Sequence, residues 1–283
     1  MKQQHVDYQV VPYSKLRRVE AIMYRSVLRT PLIHGLLEVD VTKAREFLRE
    51  HKARTGESLS FTAFIITCLA HAVDENKSVQ AYRKGRKHLA LFNEVDVATP
   101  IERDMAGQKQ PIIYIIRAAN TKTLREIHHE IRAAQVKAVE QVWEGFRYFR
   151  FLPPVVFRFI WPIFWWVIGR FPQVQKKYGG TIGVTAVGMF GKGAGWGIPF
   201  TERTLDLTLG GIAEKPGVVD GHIVIRDYLS LTLSFNHDLI DGAPAARFTQ
   251  RLKELIESGY GLIDSTIESE QARAETATMK GER

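Results

Sequence analysis

One short segment near the end of the chain combines residues whose types and spacing could do chemistry. It is SFNHDLIDGA, residues 234–243, in which His237 and Asp241 stand four positions apart and Gly242 follows. A neutral imidazole can accept a proton near pH 7, so His237 is a candidate general base with a carboxylate close by. The alternative is a hydrogen-bonded turn, because asparagine, aspartate and glycine are also the residues that turns favour.

The flanking patterns place this segment between a strand and a helix. The run before it, from Tyr228 to Phe235, alternates large apolar with small residues, which is typical of a strand. The run after it, from Ala243 to about Ser258, repeats apolar residues at helical spacing. The residues predicted to face inward on this helix are Ala245, Phe248, Leu252, Leu255 and Ile256. The candidate base is therefore predicted to lie where a buried strand ends.

The rest of the chain mixes helical and strand patterns without a strict repeat. Helices are predicted over residues 13–29, 42–52, 60–76 (capped by Ser60) and 121–142, and strands over residues 33–41, 95–100, 111–117, 181–187, 205–212, 222–225 and 228–235. Pro100 is predicted to stop one strand, and residues 103–110 to form a polar turn. We therefore predict an α+β fold, a two-layer sandwich in which helices cover a mixed sheet, and not a doubly wound parallel fold.

The predicted domain occupies residues 13–262. Residues 1–12 are expected to form a loosely held arm, and residues 263–283, which lack apolar periodicity, a disordered tail. The glycine-rich run at residues 188–197 is predicted to be a loop whose backbone turns sharply, because its length and its flanks do not fit a phosphate-binding loop.

Composition narrows the classes of function. The chain has 283 residues, of which 45% are hydrophobic and 25% charged, so it can bury a sizeable core and is not of disordered composition. The formal net charge of +8 gives a weak preference for anionic partners such as phosphates or a membrane surface. The sequence has no zinc-ligand spacing and no basic recognition helix, so neither a metal nor nucleic acid is predicted. The histidines interpreted as surface or packing residues are His34, His128, His129 and His222.

The single cysteine, Cys68, lies in an apolar helical run and is interpreted as a structural thiol, not a nucleophile. One cysteine cannot form an intramolecular disulfide, which fits a reducing compartment. The first residues of the chain lack the apolar core of a secretion signal. A cytoplasmic protein is therefore predicted.

An aromatic segment, residues 143–178, separates the long predicted helix from the glycine-rich part of the chain. At its centre, eleven residues separate Arg158 from Arg170, and Pro162 interrupts them. Because a bilayer needs about 20 apolar residues, a transmembrane span is not predicted. Three interpretations remain open: a helical hairpin that covers a core or a subunit interface, a wall for an acyl chain or substrate, and contact with a membrane surface.

The opening motif resembles the His-x-x-x-Asp-Gly signature of the catalytic domain of 2-oxoacid dehydrogenase acyltransferases. That family shares the chloramphenicol acetyltransferase-like fold. Other blocks occur in the family's order, over roughly residues 12–259. They are YSKLRRVEAI (13–22), IHGLLEVDV (33–41), LSFTAFIITCLA (59–70), VDVATP (95–100), PIIYIIRAAN (111–120) and GGTIGVTAVGMFG (179–191).

The resemblance implies a site and an assembly. In such an enzyme His237 would be the general base, Thr185 the oxyanion donor, and Asp241 would hold the histidine loop through a salt bridge to Arg17 of the opening helix. Gly242 would let the backbone turn into the helix. The histidine of one subunit would face the hydroxyl of its neighbour, which implies a homotrimer or an assembly of trimers. Coenzyme A, as acyl-CoA, would enter the channel between subunits from one end and the acceptor from the other.

The chain also departs from the family pattern. Thr185 stands where serine is usual, and Asp238 stands where an arginine usually follows the histidine. The Asp238 carboxylate is expected either to lie beside the imidazole or to point to solvent. No lipoyl group is expected on this chain, since only about a dozen residues precede the matching region. Three functions are therefore compared: a free-standing acyltransferase with a thiol or hydroxyl acceptor, a transferase core served by a lipoyl-bearing separate chain, and a catalytically silent trimeric scaffold or membrane-associated binding protein.

Overall fold

The structure is a computed structural model. It describes residues 30–105, 108–136, 154–188, 191, 193–201 and 203–262, together with the single residues 12, 18 and 21. The predicted tail, nearly all of the predicted arm and opening helix, the end of the long predicted helix (137–142) and residues 143–153 of the aromatic segment lie outside the described residues.

The centre of the fold is a mixed sheet with the strand order β1-β8-β7-β6-β4-β5. Its strands are β1 (Leu32–Asp40), β4 (Val97–Met105), β5 (Gln108–Ile116), β6 (Ile182–Ala186), β7 (Leu205–Val219) and β8 (His222–Asn236). A separate small hairpin is formed by β2 (Tyr82–Lys84) and β3 (His88–Ala90). In the main sheet β6 is parallel to both of its neighbours, and the other pairs are antiparallel.

Helices cover one face of this sheet. Those that pack on it are α1 (Thr42–Thr55), α2 (Phe61–Glu75), α3 (Leu124–Val136) and α6 (Gly242–Ser258), whereas α4 (Pro154–Ile168) and α5 (Pro172–Gly179) belong to the aromatic segment. The Ser60 side chain caps α2 by accepting a hydrogen bond from the Ala63 N–H at 3.3 Å, as predicted. All five side chains predicted to face inward on α6 are buried. Cys68 on α2 is buried too, and burial raises the pKa of its thiol, which suits a structural role.

The two faces of the sheet differ because side chains alternate along each strand. Leu207 and Leu233 pair across β7 and β8 and join the apolar core under the helices. The neighbouring pair, Thr208 and Thr232, points to the opposite face and is buried as well. The segment at residues 193–201 covers that opposite face, where the Trp196 indole N–H donates to the Leu37 carbonyl at 3.2 Å. The sheet is therefore apolar on the helix side and lined with hydroxyls on the other.

Close backbone approach explains the two glycines of β7 that lie under this covering segment. A Cβ added to Gly211 would lie 1.8 Å from the carbonyl oxygen of Gly193, and one added to Gly210 would lie 2.0 Å from that of Gly195. Only glycine lets the covering segment pack this closely on β7. Gly193 alone among the described glycines of residues 188–197 has a left-handed φ, at +88°.

Substituting Gly211 by alanine is expected to destabilise the fold, because the backbone of the covering segment must shift. Overpacking of this kind typically costs about 1–3 kcal/mol. Urea unfolding would measure it. Gly191→Ala is the matched control, since a Cβ there meets nothing within 4 Å. Equal unfolding free energies for the two variants would contradict the proposed packing.

Several element boundaries differ from the prediction. β4 continues through Pro100. Its partner β6 pairs only with Val97 and Ala98, so one edge of β4 is open at Pro100. A proline, which lacks a backbone N–H, is tolerated at such an open edge. Of the residues predicted as a polar turn at 103–110, residues 103–105 instead extend β4 and residues 108–110 extend β5. The two strands predicted at residues 222–235 form one continuous strand, β8, because β7 pairs along its length.

The described part of the aromatic segment, from residue 154 onward, folds into α4 and α5. Pro162 was expected to interrupt the residues between Arg158 and Arg170, but the α4 helix continues through it. Across the described residues, we find no helix with the length and apolar character that crossing a membrane requires.

Candidate active site

His237 lies in a tight turn between β8 and α6. Its backbone N–H donates to the Pro31 carbonyl at 2.8 Å, which anchors the turn to the start of β1. The Asn236 carbonyl accepts from the N–H groups of Leu239 and Ile240, both at 3.0 Å. The backbone of the turn is thus held by hydrogen bonds, whereas the His237 side chain is exposed in the single chain.

Asp238 does not depend on the imidazole for a partner. Its carboxylate faces Arg83 of the β2–β3 hairpin, with Nη2–Oδ2 at 3.4 Å, and both side chains are about half exposed. Exposed pairs of this kind contribute little stability. No local pattern points to Arg83, because this partner is 155 positions away in the chain.

Asp241 is the N-cap residue of α6, and its carbonyl accepts from the Ala245 N–H at 3.1 Å. Its side chain makes no capping hydrogen bond and is exposed. Arg17, the predicted partner, lies outside the described residues. Gly242 is the first helical residue and does not have a left-handed φ, and a Cβ there would meet nothing within 4 Å. Within one chain, neither a left-handed φ nor a close contact requires glycine at this position.

Thr185 lies on β6, on the hydroxyl-lined face of the sheet. In register with it lie Thr208 on β7 and Thr232 on β8, which completes a row of three hydroxyls across the sheet. The hydroxyl oxygens of Thr208 and Thr232 are buried and find no hydrogen-bond partner within the part of the chain that the structure describes. A buried hydroxyl without a partner is costly, so this row favours a polar group that reaches it.

Sequence reasoning did not single out this row. A signal was present, since Ser230, Thr232 and Ser234 recur at every second position of an otherwise apolar strand. All three are buried. Ser234 also contacts His34 on β1, with Oγ–Nδ1 at 2.8 Å, which agrees with the packing role predicted for His34.

A buried carboxylate lies at the start of the same face. Asp206 is in register with Gly183, and a Cβ on that glycine would lie 1.8 Å from its Oδ1. Burial raises the pKa of Asp206, while Arg203 at 3.3 Å and the hydroxyl of Thr201 favour its charged form. The cluster holds the chain in place where it enters β7.

The sheet register sets the separation of Thr185 and His237 within one chain. Thr185 is opposite Thr208, and the β7–β8 register, extended past the end of β8, puts His237 beside Arg203. The two positions are thus about five residues apart along the strands and two strands apart across the sheet. At about 3.3 Å per residue and about 4.8 Å per strand, that amounts to roughly 19 Å. The two side chains of a single chain cannot contact one reacting group across this gap.

A second cluster of titratable groups joins α1, α2 and α3. Ligand atoms of Glu57, His128 and His129 lie within 4.8 Å of one another. Glu57 is already paired, with Arg125 at 3.1 Å and with His129 at 3.3 Å. His128 accepts the Ser60 N–H at 3.0 Å, and burial, followed by the charge of a nearby arginine, lowers its pKa. These contacts describe a structural ion-pair cluster, as expected for packing histidines.

Comparison with known proteins agrees with the fold and the motif order. The family model of 2-oxoacid dehydrogenases acyltransferase (catalytic domain) matches residues 5–143 and 173–263. The chain belongs to this family. The match omits residues 144–172, which contain all of α4.

Two curated relatives illustrate the similarity. The chain is 25% identical, over 88% of its length, to the lipoamide acyltransferase component of the branched-chain alpha-keto acid dehydrogenase complex of Bacillus subtilis. It is 26% identical, over 89% of its length, to the dihydrolipoyllysine-residue acetyltransferase component of the pyruvate dehydrogenase complex of Zymomonas mobilis. The chain spans about half the length of these relatives, 52% and 51% respectively.

Solved structures share the fold. A probable dihydrolipoamide acetyltransferase of Listeria monocytogenes matches with a TM-score of 0.65 and 22% identity, over 89% of this chain and 95% of that one. The dihydrolipoamide acetyltransferase (E2p) of Azotobacter vinelandii matches with a TM-score of 0.67 and 20% identity, over 92% and 96%. The predicted α+β sandwich is confirmed.

Proposed function

We propose that this protein is an acyltransferase that moves an acyl group between coenzyme A and a thiol or hydroxyl acceptor. His237 acts as the general base and Thr185 as the oxyanion donor. Membership of the acyltransferase family supports the reaction class. The exposed imidazole on a hydrogen-bonded turn supports the role of His237, because the ring is available to a group outside its own chain.

The reaction needs one proton transfer in each direction. His237 removes the proton of the acceptor thiol or hydroxyl, and the resulting anion attacks the thioester carbonyl of acyl-CoA. The Thr185 hydroxyl donates a hydrogen bond to the tetrahedral oxyanion. When the intermediate collapses, the carbon–sulfur bond to coenzyme A breaks and the imidazolium returns its proton to the departing thiolate. The acyl group is then bonded to the acceptor.

The separation of roughly 19 Å between Thr185 and His237 is the observation that carries the proposal of a shared site. A second copy must bring its histidine to the threonine of the first. In a closed ring such as a homotrimer, every interface is formed by the same two surfaces. Each interface therefore brings the histidine of one copy to the threonine of its neighbour. Asp241 would then support the histidine turn at the interface, with Arg17 as its partner.

Residue spacing in the Azotobacter vinelandii enzyme supports the same assignment. That enzyme was studied for the role of one serine, one histidine and one asparagine in its catalytic mechanism. Its serine precedes the histidine by 52 positions, and its asparagine follows by four. Thr185, His237 and Asp241 have these spacings in the present chain. A threonine hydroxyl keeps the donor, although its methyl group restricts the rotamer.

The assay that tests the proposal supplies acyl-CoA and a small dithiol, dihydrolipoamide, to the purified protein. We expect free coenzyme A and acylated dithiol to appear in equal amounts, and size-exclusion with light scattering to give a trimer or a multiple of it. Protein that assembles in this way but releases no coenzyme A with acetyl, succinyl or branched-chain acyl donors would favour the silent scaffold instead. A lipoyl-bearing separate chain is the further partner expected if the acceptor is a lipoyl group.

A further inference from the structure

A basic cavity lies between the β2–β3 hairpin and α5, the second helix of the aromatic segment. Its volume is about 720 Å³, which is within the range of small-molecule sites. Its charged lining residues are Lys84, Asp96, Arg117, Arg170, Lys176 and Lys177. Its apolar walls include Leu91, Phe92 and Phe171. The cavity thus combines cations with apolar surface.

Cations predominate among the charged residues that line this cavity. Arg117 pairs with Asp96 at 2.7 Å, and Lys176 pairs with Glu94 at 2.8 Å. Five of the six charged side chains that line the cavity are cationic, so its lining is basic. Such a surface attracts anions, and added salt weakens this electrostatic attraction by screening the charges.

An exposed apolar stripe on α4 leads to the same cavity. Val155, Phe159, Ile163 and Val167 recur at every fourth position, which places them on one side of the helix. They are 42–69% exposed. Phe171, just beyond the helix, continues the stripe into the cavity wall and is exposed as well. A row of large apolar side chains thus ends at a cluster of cations.

We propose that α4 and the basic cavity together bind the surface of an anionic phospholipid bilayer. The apolar stripe and the basic cavity lie next to each other, and an anionic lipid likewise presents a phosphate beside hydrocarbon. This match is the reason for proposing a lipid surface as the partner. A helix of 15 residues lying in the bilayer interface would bury the stripe, while the cavity cations would take the headgroups. The α4 helix falls in the gap between the two ranges that match the family, so the family pattern does not account for it. The site shares no residue with the proposed acyl-transfer site.

Vesicle flotation of the full chain tests the proposal, with phosphatidylcholine vesicles that either lack or contain phosphatidylserine. We expect the protein to float with the anionic vesicles and the binding to weaken with salt. The cation variant combines Lys84→Gln, Arg170→Gln and Lys177→Gln. Each cation near an anionic surface contributes roughly fivefold in affinity, so this variant should bind about 100-fold more weakly. Its control removes the same number of positive charges from α1, by replacing Lys43, Arg49 and Lys52 with glutamine. This control should bind vesicles as the unaltered protein does.

A second variant, Phe159→Ser with Ile163→Ser, tests the apolar stripe and should also lose most of the binding. Light scattering on this variant measures whether the stripe instead holds copies of the chain together. The proposal is overturned if the unaltered protein does not float with anionic vesicles at low salt. It is also overturned if the cation variant binds like its control, or if the stripe variant keeps its vesicle binding while its assembly falls apart.

Discussion

Replacing His237 by alanine is expected to lower acyl transfer from acyl-CoA to dihydrolipoamide by about 10²–10⁴-fold, the range that general base catalysis typically contributes. The substitution removes the imidazole but leaves the backbone N–H that donates to Pro31. Because the ring is exposed in the single chain, the fold should survive its loss. Stopped-time measurement of released coenzyme A gives the rate, and thermal unfolding checks stability.

The matched control for this variant is His88→Ala, which removes another exposed histidine from the β2–β3 hairpin. It should retain the full rate. Turnover of the His237→Ala protein at the level of the control would show that another group takes the proton. A lost trimer in the His237→Ala protein would assign the residue to assembly and not to proton transfer.

The second large effect is expected at Thr185. Replacing it by valine keeps the shape but removes the hydroxyl, and loss of an oxyanion donor typically costs about 10²–10³ in rate. The loss should appear in kcat more than in KM, because the hydrogen bond strengthens as the oxyanion forms. Thr185→Ser restores the hydroxyl and should recover most of the rate. Equal activity of the valine and serine variants would exclude a role for the hydroxyl.

Mixed assemblies test whether Thr185 and His237 act across two copies. Subunits carrying Thr185→Val and subunits carrying His237→Ala are each expected to be nearly inactive. In a trimer that mixes them, one interface joins an intact threonine to an intact histidine, so equal mixing should restore about a quarter of the sites. Co-refolding followed by the coenzyme A assay measures this recovery. No recovery in trimers shown to be mixed would contradict the shared site.

Local features of the fold could be predicted because a few neighbouring residues encode them. The Ser60 cap and the inward face of α6 depend on spacing within one or two turns of helix, and both are confirmed. The position of His237 between a strand and a helix could also be predicted, because the residues before it alternate as in a strand and those after it repeat as in a helix. The order of motifs along the chain identified the family for the same reason, because short blocks are preserved in sequence.

Features that depend on distant partners were not predictable in this way. Pro100 stays within β4 because β6 pairs with that strand only at Val97 and Ala98. Arg83 contacts Asp238 because the β2–β3 hairpin lies beside the turn that follows β8. The same holds for the gap of roughly 19 Å between Thr185 and His237, which follows from strand register. By itself, the sequence therefore determined the types, caps and inward faces of the elements and the residues able to do chemistry. Only the tertiary structure decided which of those residues meet, because strand pairing joins positions that no local pattern connects.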